Sequence, residues 1–247
     1  MGHLKRTTFV VFDFEDPRTF LKAFEHIDVL FLLRPPHISN IKKYFRPLIS
    51  AMSEGGIQKV VFLSVQGAEQ SSIIPHRKIE LLILEAGIEY VFMQPSYFMQ
   101  NLTTTLLSGV KEGAIVLPSK DAQFNWIDIE DIAEIGSLFL TEFDSYKNNS
   151  YVLTGSENLN FFSVVEKINN TTDGDLEYRS VNPLKFVMYK LKEKIPFGFI
   201  IVMFILHYLP TIQAEPEISE NVQKLLGRSP TSVDEFIVKN KGFFITE

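Results

Sequence analysis

KVVFLSVQGAEQSSIIPHRKIELLILEAGIEYVFMQPSYFMQN, spanning Lys59–Asn101, decides the fold. Lys59–Ser64 reads as a strand, Val65–Pro75 as a polar loop, His76–Ala86 as a helix stopped by Gly87, and Tyr90–Gln94 as a second strand. Short apolar runs joined through a helix point to parallel strands, because parallel neighbours need a crossover connection. The alternation extends toward the N-terminus. Val29–Leu33 is a continuous apolar run, as expected for a strand covered on both faces. The helix after it takes Ser39 as its cap, carries Pro47, and ends at Gly55-Gly56. Thr8–Phe12 is a further strand candidate, and Asp16-Pro17 supplies a cap and a preset first residue for a helix over Pro17–Glu25. The fold class is therefore α/β, with a doubly wound parallel sheet.

Beyond this stretch the pattern loosens. Tyr97–Val110 reads as a helix, Ala114–Leu117 and Gln123–Ile127 as short strands, Ile129–Glu142 as a periodic helix, and Tyr151–Thr154 as a strand. From residue 156 the segments are mostly helical, and Ser232-x-x-Glu235 forms a capping box before the last of them. The expected organisation is a core over residues 1–155 and a smaller, mostly helical cap over 156–247.

Composition bounds the function. The 247 residues are 45% hydrophobic, enough for a sizeable core, and the net charge of −6 argues against a basic nucleic-acid footprint. With no cysteine there is no disulfide, thiolate metal site or cysteine nucleophile, which suits a reducing cytoplasm. Five scattered histidines form no H-x-x-x-H pair, so no metal site is expected. Neither a G-x-S-x-G elbow nor a P-loop is present. Ile195–Ile212 has 18 residues without a charge, which touches the length of a membrane span. Pro196, Gly198, His207 and Pro210 interrupt it, so it reads as a buried or ligand-covering helix and not as a span.

Six segments occur in order. They are Phe12-Asp13-Phe14-x-Asp16-Pro17; Val29–Pro36 (VLFLLRPP); Val60–Gly67 (VVFLSVQG) with His76–Glu80 (HRKIE); Gln94–Asn101 (QPSYFMQN); Phe124–Ala133 (FNWIDIEDIA); and Leu225–Pro230 (LLGRSP) with Thr231–Phe236. Together they resemble the NmrA-like family of atypical short-chain dehydrogenases/reductases, whose patterns include R-P-x-F-F-M-Q-N and F-I-D-x-x-D-I-A. The resemblance implies a Rossmann-like, NAD(P)-binding fold. It also implies hydride transfer from NAD(P)H to a small aromatic or quinone-like acceptor.

One part of the family pattern is missing. In such folds a G-x-G-x-x-G turn after the first strand holds the cofactor pyrophosphate on helix N–H groups. Here Gly2 has no strand before it and the next glycine is Gly55. Aligned on Asp13, the sheet is expected to be truncated at its first βαβ unit. The strands at residues 8 and 29 would then close up and pair directly, with swapping or a homodimer at that edge as the alternative. NAD(P)H binding is expected to be weak or lost. The rival reading is a non-catalytic, degenerate relative acting as a ligand sensor or partner-binding protein; a third is that the sequence starts inside a longer one.

The resemblance also marks site residues. Asp13 would approach the adenine edge, or simply cap its own turn. Leu33 and Arg34 would line the cofactor channel, with Arg34 meeting a phosphate or remaining solvated. Ser64, Val65 and Gln66 leave a strand toward the same edge, with Gln66 toward the substrate. The superfamily's Tyr-x-x-x-Lys pair is absent, since Ser72 stands four residues before His76. His76 is then the candidate catalytic residue, orienting ribose or substrate and titrating in a useful range, unless it only caps or packs. Arg77 and Lys78 read as solvated charges, and Glu80 as an i,i+4 partner of His76 or part of a surface ion pair. Pro95 and Ser96 would contact the cofactor; Tyr97 and Asn101 would contact substrate. Asp128 and Asp131 read as charges favoured by a helix N-terminus.

Overall fold

The computed structural model describes residues 7–36, 38, 40–70, 72 and 74–245. Asp16 caps the first turn by accepting from the Arg18 N–H, and Pro17 starts a 3-10 turn leading into α1 (Phe20–Phe24). There follow β1 (Leu30–Leu33), α2 (Ile41–Glu54), β2 (Lys59–Leu63), α3 (Pro75–Glu85) and β3 (Glu89–Pro95). β1 pairs parallel to β2 with Leu33 opposite Leu63, and β2 pairs parallel to β3 with Leu63 opposite Met93. Next come β4 (Tyr97–Phe98), α4 (Leu107–Lys111), β5 (Ala114–Leu117), β6 (Phe124–Ile127), α5 (Ile129–Thr141), α6 (Phe143–Tyr146) and β7 (Asn149–Leu153). β8 (Asn158–Leu159), α7 (Phe161–Thr172), β9 (Glu177–Ser180), α8 (Pro183–Lys192), α9 (Phe197–Tyr208), α10 (Asn221–Leu226), α11 (Val233–Lys239) and α12 (Lys241–Phe244) complete the chain.

The chain divides into two compact units, residues 1–94 with 136–151, and residues 95–135 with 152–247. The second unit holds the helical segment from residue 156 onward, and it also takes residues 95–135 and 152–155.

The first unit is organised by the sheet of order β1-β2-β3-β7. Leu32, Val60, Phe62 and Phe92 pack with Phe45 and Ile83 of the crossover helices into one core on one face. On the other face an added Cβ at Gly136 of α5 would sit 3.5 Å from Met93 and 3.7 Å from Phe31. Helices therefore lie against both faces of the sheet, as a parallel sheet requires, with β1 the least covered of its strands. Ser39 lies outside the described residues; the α2 cap is Asn40, whose Oδ1 accepts from the Lys43 N–H at 3.0 Å. The second unit holds β4 parallel to β6, β6 antiparallel to β8, and β5 parallel to β9. Its core is rich in aromatics, among them Tyr97, Phe124, Trp126 and Phe161.

Four expectations need correction. Thr8–Phe12 forms no strand and does not pair with β1. Phe12 instead stacks on Phe20 at 5.4 Å and Phe14 meets Phe45 at 5.3 Å, so these side chains gain their contacts from helices and not from the sheet. Among the described residues β1 is consequently an edge, and its Phe31 and Leu33 are partly exposed, contrary to full coverage. Tyr97–Val110 is not one helix; Tyr97 and Phe98 pair with Trp126 and Ile127, which holds their backbone extended before a 3-10 turn at Met99–Leu102. Finally, Ile195–Ile212 is not a buried helix. Ile200, Met203 and His207, spaced i, i+3, i+7, form the only buried stripe of α9, because a helix lying on one core presents one face to it. Among the described residues no helix is long and apolar enough to cross a membrane.

One backbone contact sets a sharp steric limit. A Cβ at Gly155 would lie 1.9 Å from the Trp126 carbonyl oxygen, whereas at Gly198 it would meet nothing within 4 Å. Gly155→Ala is expected to lower stability by more than about 3 kcal/mol, since backbone cannot yield as a side chain does. Gly198→Ala should stay within about 1 kcal/mol of the parent. Urea melts of the two variants measure the contrast.

Candidate functional site

In the first unit, the C-terminal ends of β1 and β2 release the loops that carry Arg34, Ser64, Val65 and Gln66. This edge is where open α/β sheets place ligands. Leu33 ends β1, and Arg34 follows it. Its Nη1 donates to the carbonyls of Pro35 (3.2 Å), Pro36 (3.2 Å) and Ile38 (2.8 Å), which staples the β1–α2 loop. Its Nε donates through a long bond of 3.4 Å to Nε2 of His76. Among the described residues no carboxylate pairs with this guanidinium, and burial lowers its pKa.

His76 lies just inside the N-terminus of α3, behind Pro75. Because Nε2 accepts from Arg34, the proton of the neutral ring sits on Nδ1. Burial first, and the Arg34 charge second, push its pKa down to about 4. That corrects the expectation of titration in a useful range: His76 is a neutral imidazole near pH 7, fit for hydrogen bonding and unfit to act as an imidazolium acid.

Ser64 is buried, and its N–H donates to the Met93 carbonyl at 2.7 Å. Its Oγ donates to Glu80 Oε1 at 2.6 Å, and Gln94 Nε2 donates to the same oxygen at 3.0 Å. Arg77 Nη1 donates to Glu80 Oε2 at 3.0 Å. Glu80 is fully buried, and among the described residues it is held by Ser64, Gln94 and Arg77 and not by His76. The reading of Glu80 as a surface charge and Arg77 as a solvated one is thereby corrected: a buried carboxylate requires a cation and donors. Arg77, three residues before Glu80, supplies the positive charge from the helix side. Val65 and Gln66 follow Ser64, and Gly67 turns the loop at φ +74°. Asp13 is exposed, and its Oδ1 accepts from the Glu15 N–H at 2.8 Å, closing its own turn.

The remaining candidates lie in the second unit. Pro95 ends β3; Ser96 donates from Oγ to Asn125 Oδ1 at 2.8 Å, and its N–H donates to the Leu153 carbonyl at 2.9 Å. Tyr97 is buried, with its Oη 2.9 Å from Nε2 of His207. Since His207 Nδ1–H donates to the Met203 carbonyl at 2.7 Å, Nε2 accepts from the Tyr97 hydroxyl. Burial raises the Tyr97 pKa far above the usual phenol range, against a hydrogen bond from Asn101 that lowers it. Burial also pushes His207 down to about 4. Gln100 donates to Asp128 Oδ1 at 2.6 Å and accepts from the Ile129 N–H at 3.0 Å. Asp131 is buried and holds Thr231 through its N–H (2.7 Å) and Arg228 through Nη2 (2.8 Å), a clamp that exceeds a helix-end charge effect. His207 escaped notice as a polar partner, although a histidine inside an uncharged apolar run is itself a sign of a buried, satisfied ring.

The model of the family described as NmrA-like matches residues 5–237. The chain belongs to the NmrA-like family. Prestalk A differentiation protein A of Dictyostelium discoideum is 28% identical over 187 residues, covering 75% of this chain and 61% of that protein. The NAD(P)H azoreductase of Xenophilus azovorans is 25% identical over 68% of this chain and 60% of its own length. The chain thus spans less than two thirds of these two relatives, whereas it spans 85% of the oxidoreductase YesF of Bacillus subtilis, at 23% identity over 98% of this chain. Among solved structures, Citrobacter sp. triphenylmethane reductase complexed with NADP(H) superposes with a TM-score of 0.79 at 21% identity, covering 92% of this chain and 81% of that one. The NADPH-dependent quinone oxidoreductase of Escherichia coli complexed with NADPH gives a TM-score of 0.81 at 15% identity, covering 93% and 82%. These likenesses establish the NmrA-like, Rossmann-type fold.

Removing one partner of the buried network leaves the others unpaired. Glu80→Ala should destabilise the protein by about 3 kcal/mol, read from urea unfolding. The two buried histidines set a pH dependence. Each has a folded pKa of about 4 against the usual 6.5, so between those values the unfolded chain binds more protons. Their contribution is complete above about pH 6.5 and is lost as the pH falls toward 4. The ring resonances of His76 and His207 should keep neutral-form shifts down to about pH 5 in NMR titration; a ring titrating near 6.5 would contradict the described burial.

Proposed function

We propose that this NmrA-like protein is an NAD(P)H-dependent oxidoreductase whose cofactor phosphates lie at the C-terminal edge of β1 and β2. The carrying observation is Arg34, a partly buried guanidinium with no carboxylate partner among the described residues, beside a neutral His76. A desolvated cation without a counter-charge suits a phosphate, and Gly67 turns the neighbouring loop at φ +74°. Leu33, Val65 and Gln66 would line the same edge, and Ser64, tied to Glu80, would fix the loop's departure. The bound cofactor supplies the hydride. His76 would orient the ribose or the acceptor by donating from Nδ1, and its neutrality spares Arg34 a second positive charge alongside it.

The acceptor would be a flat, conjugated, small molecule, as azo compounds, quinones and triphenylmethane dyes are for the similar azoreductase, quinone oxidoreductase and triphenylmethane reductase. No G-x-G-x-x-G turn occurs in the 247 residues, and each missing N–H to phosphate bond is worth about 1.5–3 kcal/mol. Weak cofactor affinity is therefore part of the proposal for these residues.

Calorimetric titration with NADPH and NADH tests it. Saturable binding is expected, and Arg34→Met should weaken it about tenfold or more, as loss of one charge-assisted contact does. No heat at millimolar cofactor would retire the reductase reading in favour of a non-catalytic ligand sensor or partner-binding protein.

A further inference from the structure

We propose that the α8–α9 surface of the second unit docks on an anionic lipid surface, with α9 lying in the plane of the interface. This inference is independent of the cofactor reading. α9 is FGFIIVMFILHY, without a charged residue apart from the neutral His207, and only its Ile200, Met203 and His207 are buried. The rest of its circumference leaves apolar side chains in water, including Ile201 and Ile205 at 42% and 52% exposure. α8 packs against α9 and adds Leu184, Met188 and Leu191, which share one exposed face at i, i+4, i+7. This much apolar side chain exposed on two packed helices is uncommon on a monomer and marks an interaction site.

Length and charge select the partner. At 1.5 Å per residue the 12 residues of α9 reach about 18 Å, well short of a hydrocarbon core of about 30 Å, so the helix cannot span. Lys185 and Lys192, seven residues apart, lie beside the apolar face of α8, and Lys194 follows in the turn to α9. All three are exposed, and none forms an ion pair among the described residues. The one acid among them, Glu193, is held by Lys190 at 2.8 Å, and the next charged residue after Lys194 is Glu215. An apolar face bordered by lysines, on a chain of net charge −6, is the pattern of helices that lie in headgroup regions. A symmetric contact with a second copy would set this patch against itself and bring lysine toward lysine, since the acids beside α8 are engaged already, Glu193 by Lys190 and Glu112 by the Tyr189 hydroxyl at 3.3 Å.

Co-sedimentation with vesicles tests the assignment, using phosphatidylcholine alone and phosphatidylcholine mixed with phosphatidylserine. The full chain should sediment with the mixed vesicles and be released by high salt. Lys192→Gln/Lys194→Gln should weaken binding by roughly tenfold. Ile201→Ser/Ile205→Ser should abolish it, with circular dichroism confirming that this exposed-site variant is folded. Absence of binding to either vesicle overturns the proposal, as does binding unchanged in both variants. A dimer seen by light scattering that the isoleucine variant dissolves, with no vesicle binding, overturns it in favour of self-association.

Discussion

A carboxylate withdrawn from water must find a cation and donors, and Glu80 imposes that requirement on the first unit. Ser64 at the end of β2, Gln94 near the end of β3 and Arg77 one turn earlier on α3 converge on its two oxygens. A hydroxyl, an amide and a guanidinium thus tie two parallel strands to their crossover helix. The loop that leaves β2 at Ser64 starts from a position fixed by this network, and the Arg34–His76 contact forms on the same helix one turn away. The geometry at the sheet's C-terminal edge depends on a charge that never reaches the surface.

The second unit solves its polar problem with a different hub. Asn125 Oδ1 accepts from Ser96 Oγ and the Gly155 N–H, while its Nδ2 donates to the carbonyls of Gly155 and Glu157. That amide fastens the chain after β3 to the chain after β7. The close pass of Gly155 over Trp126 belongs to the same arrangement, because a side chain there would push the loop after β7 off β6. Asp131 performs the matching task for the Arg228–Thr231 segment. Buried polar groups with every partner supplied give such a core one arrangement rather than many.

Apolar exposure is distributed unevenly. Among the described residues β1 pairs on one side only, and Phe31 and Leu33 lie at this edge. Phe12 and Phe14 find ring contacts on α1 and α2 instead of a place in the sheet. On the second unit the exposed apolar surface sits on two packed helices, bordered by lysines. An unpaired edge and a lysine-rimmed helix face are different physical objects: the first offers backbone hydrogen bonds, the second offers area and charge.

By itself the sequence determined the alternation of strands and helices from Val29 to Gln94, the capping box at Ser232, and the family, because each is a matter of local periodicity, turn chemistry or ordered motifs. Asn40 capping α2 in place of Ser39 needed only a small change to that local picture, whereas the breakage of Tyr97–Val110 came from pairing with Trp126 and Ile127. Tertiary structure alone decided the rest. Whether Glu80 faced water or the core, and whether His76 would carry a proton near neutral pH, depended on groups far away in the chain. Likewise, only packing showed that an uncharged run at Ile195–Ile212 buries one stripe and exposes the remainder. Composition records how apolar a segment is, but burial and pKa follow from what the fold places beside it.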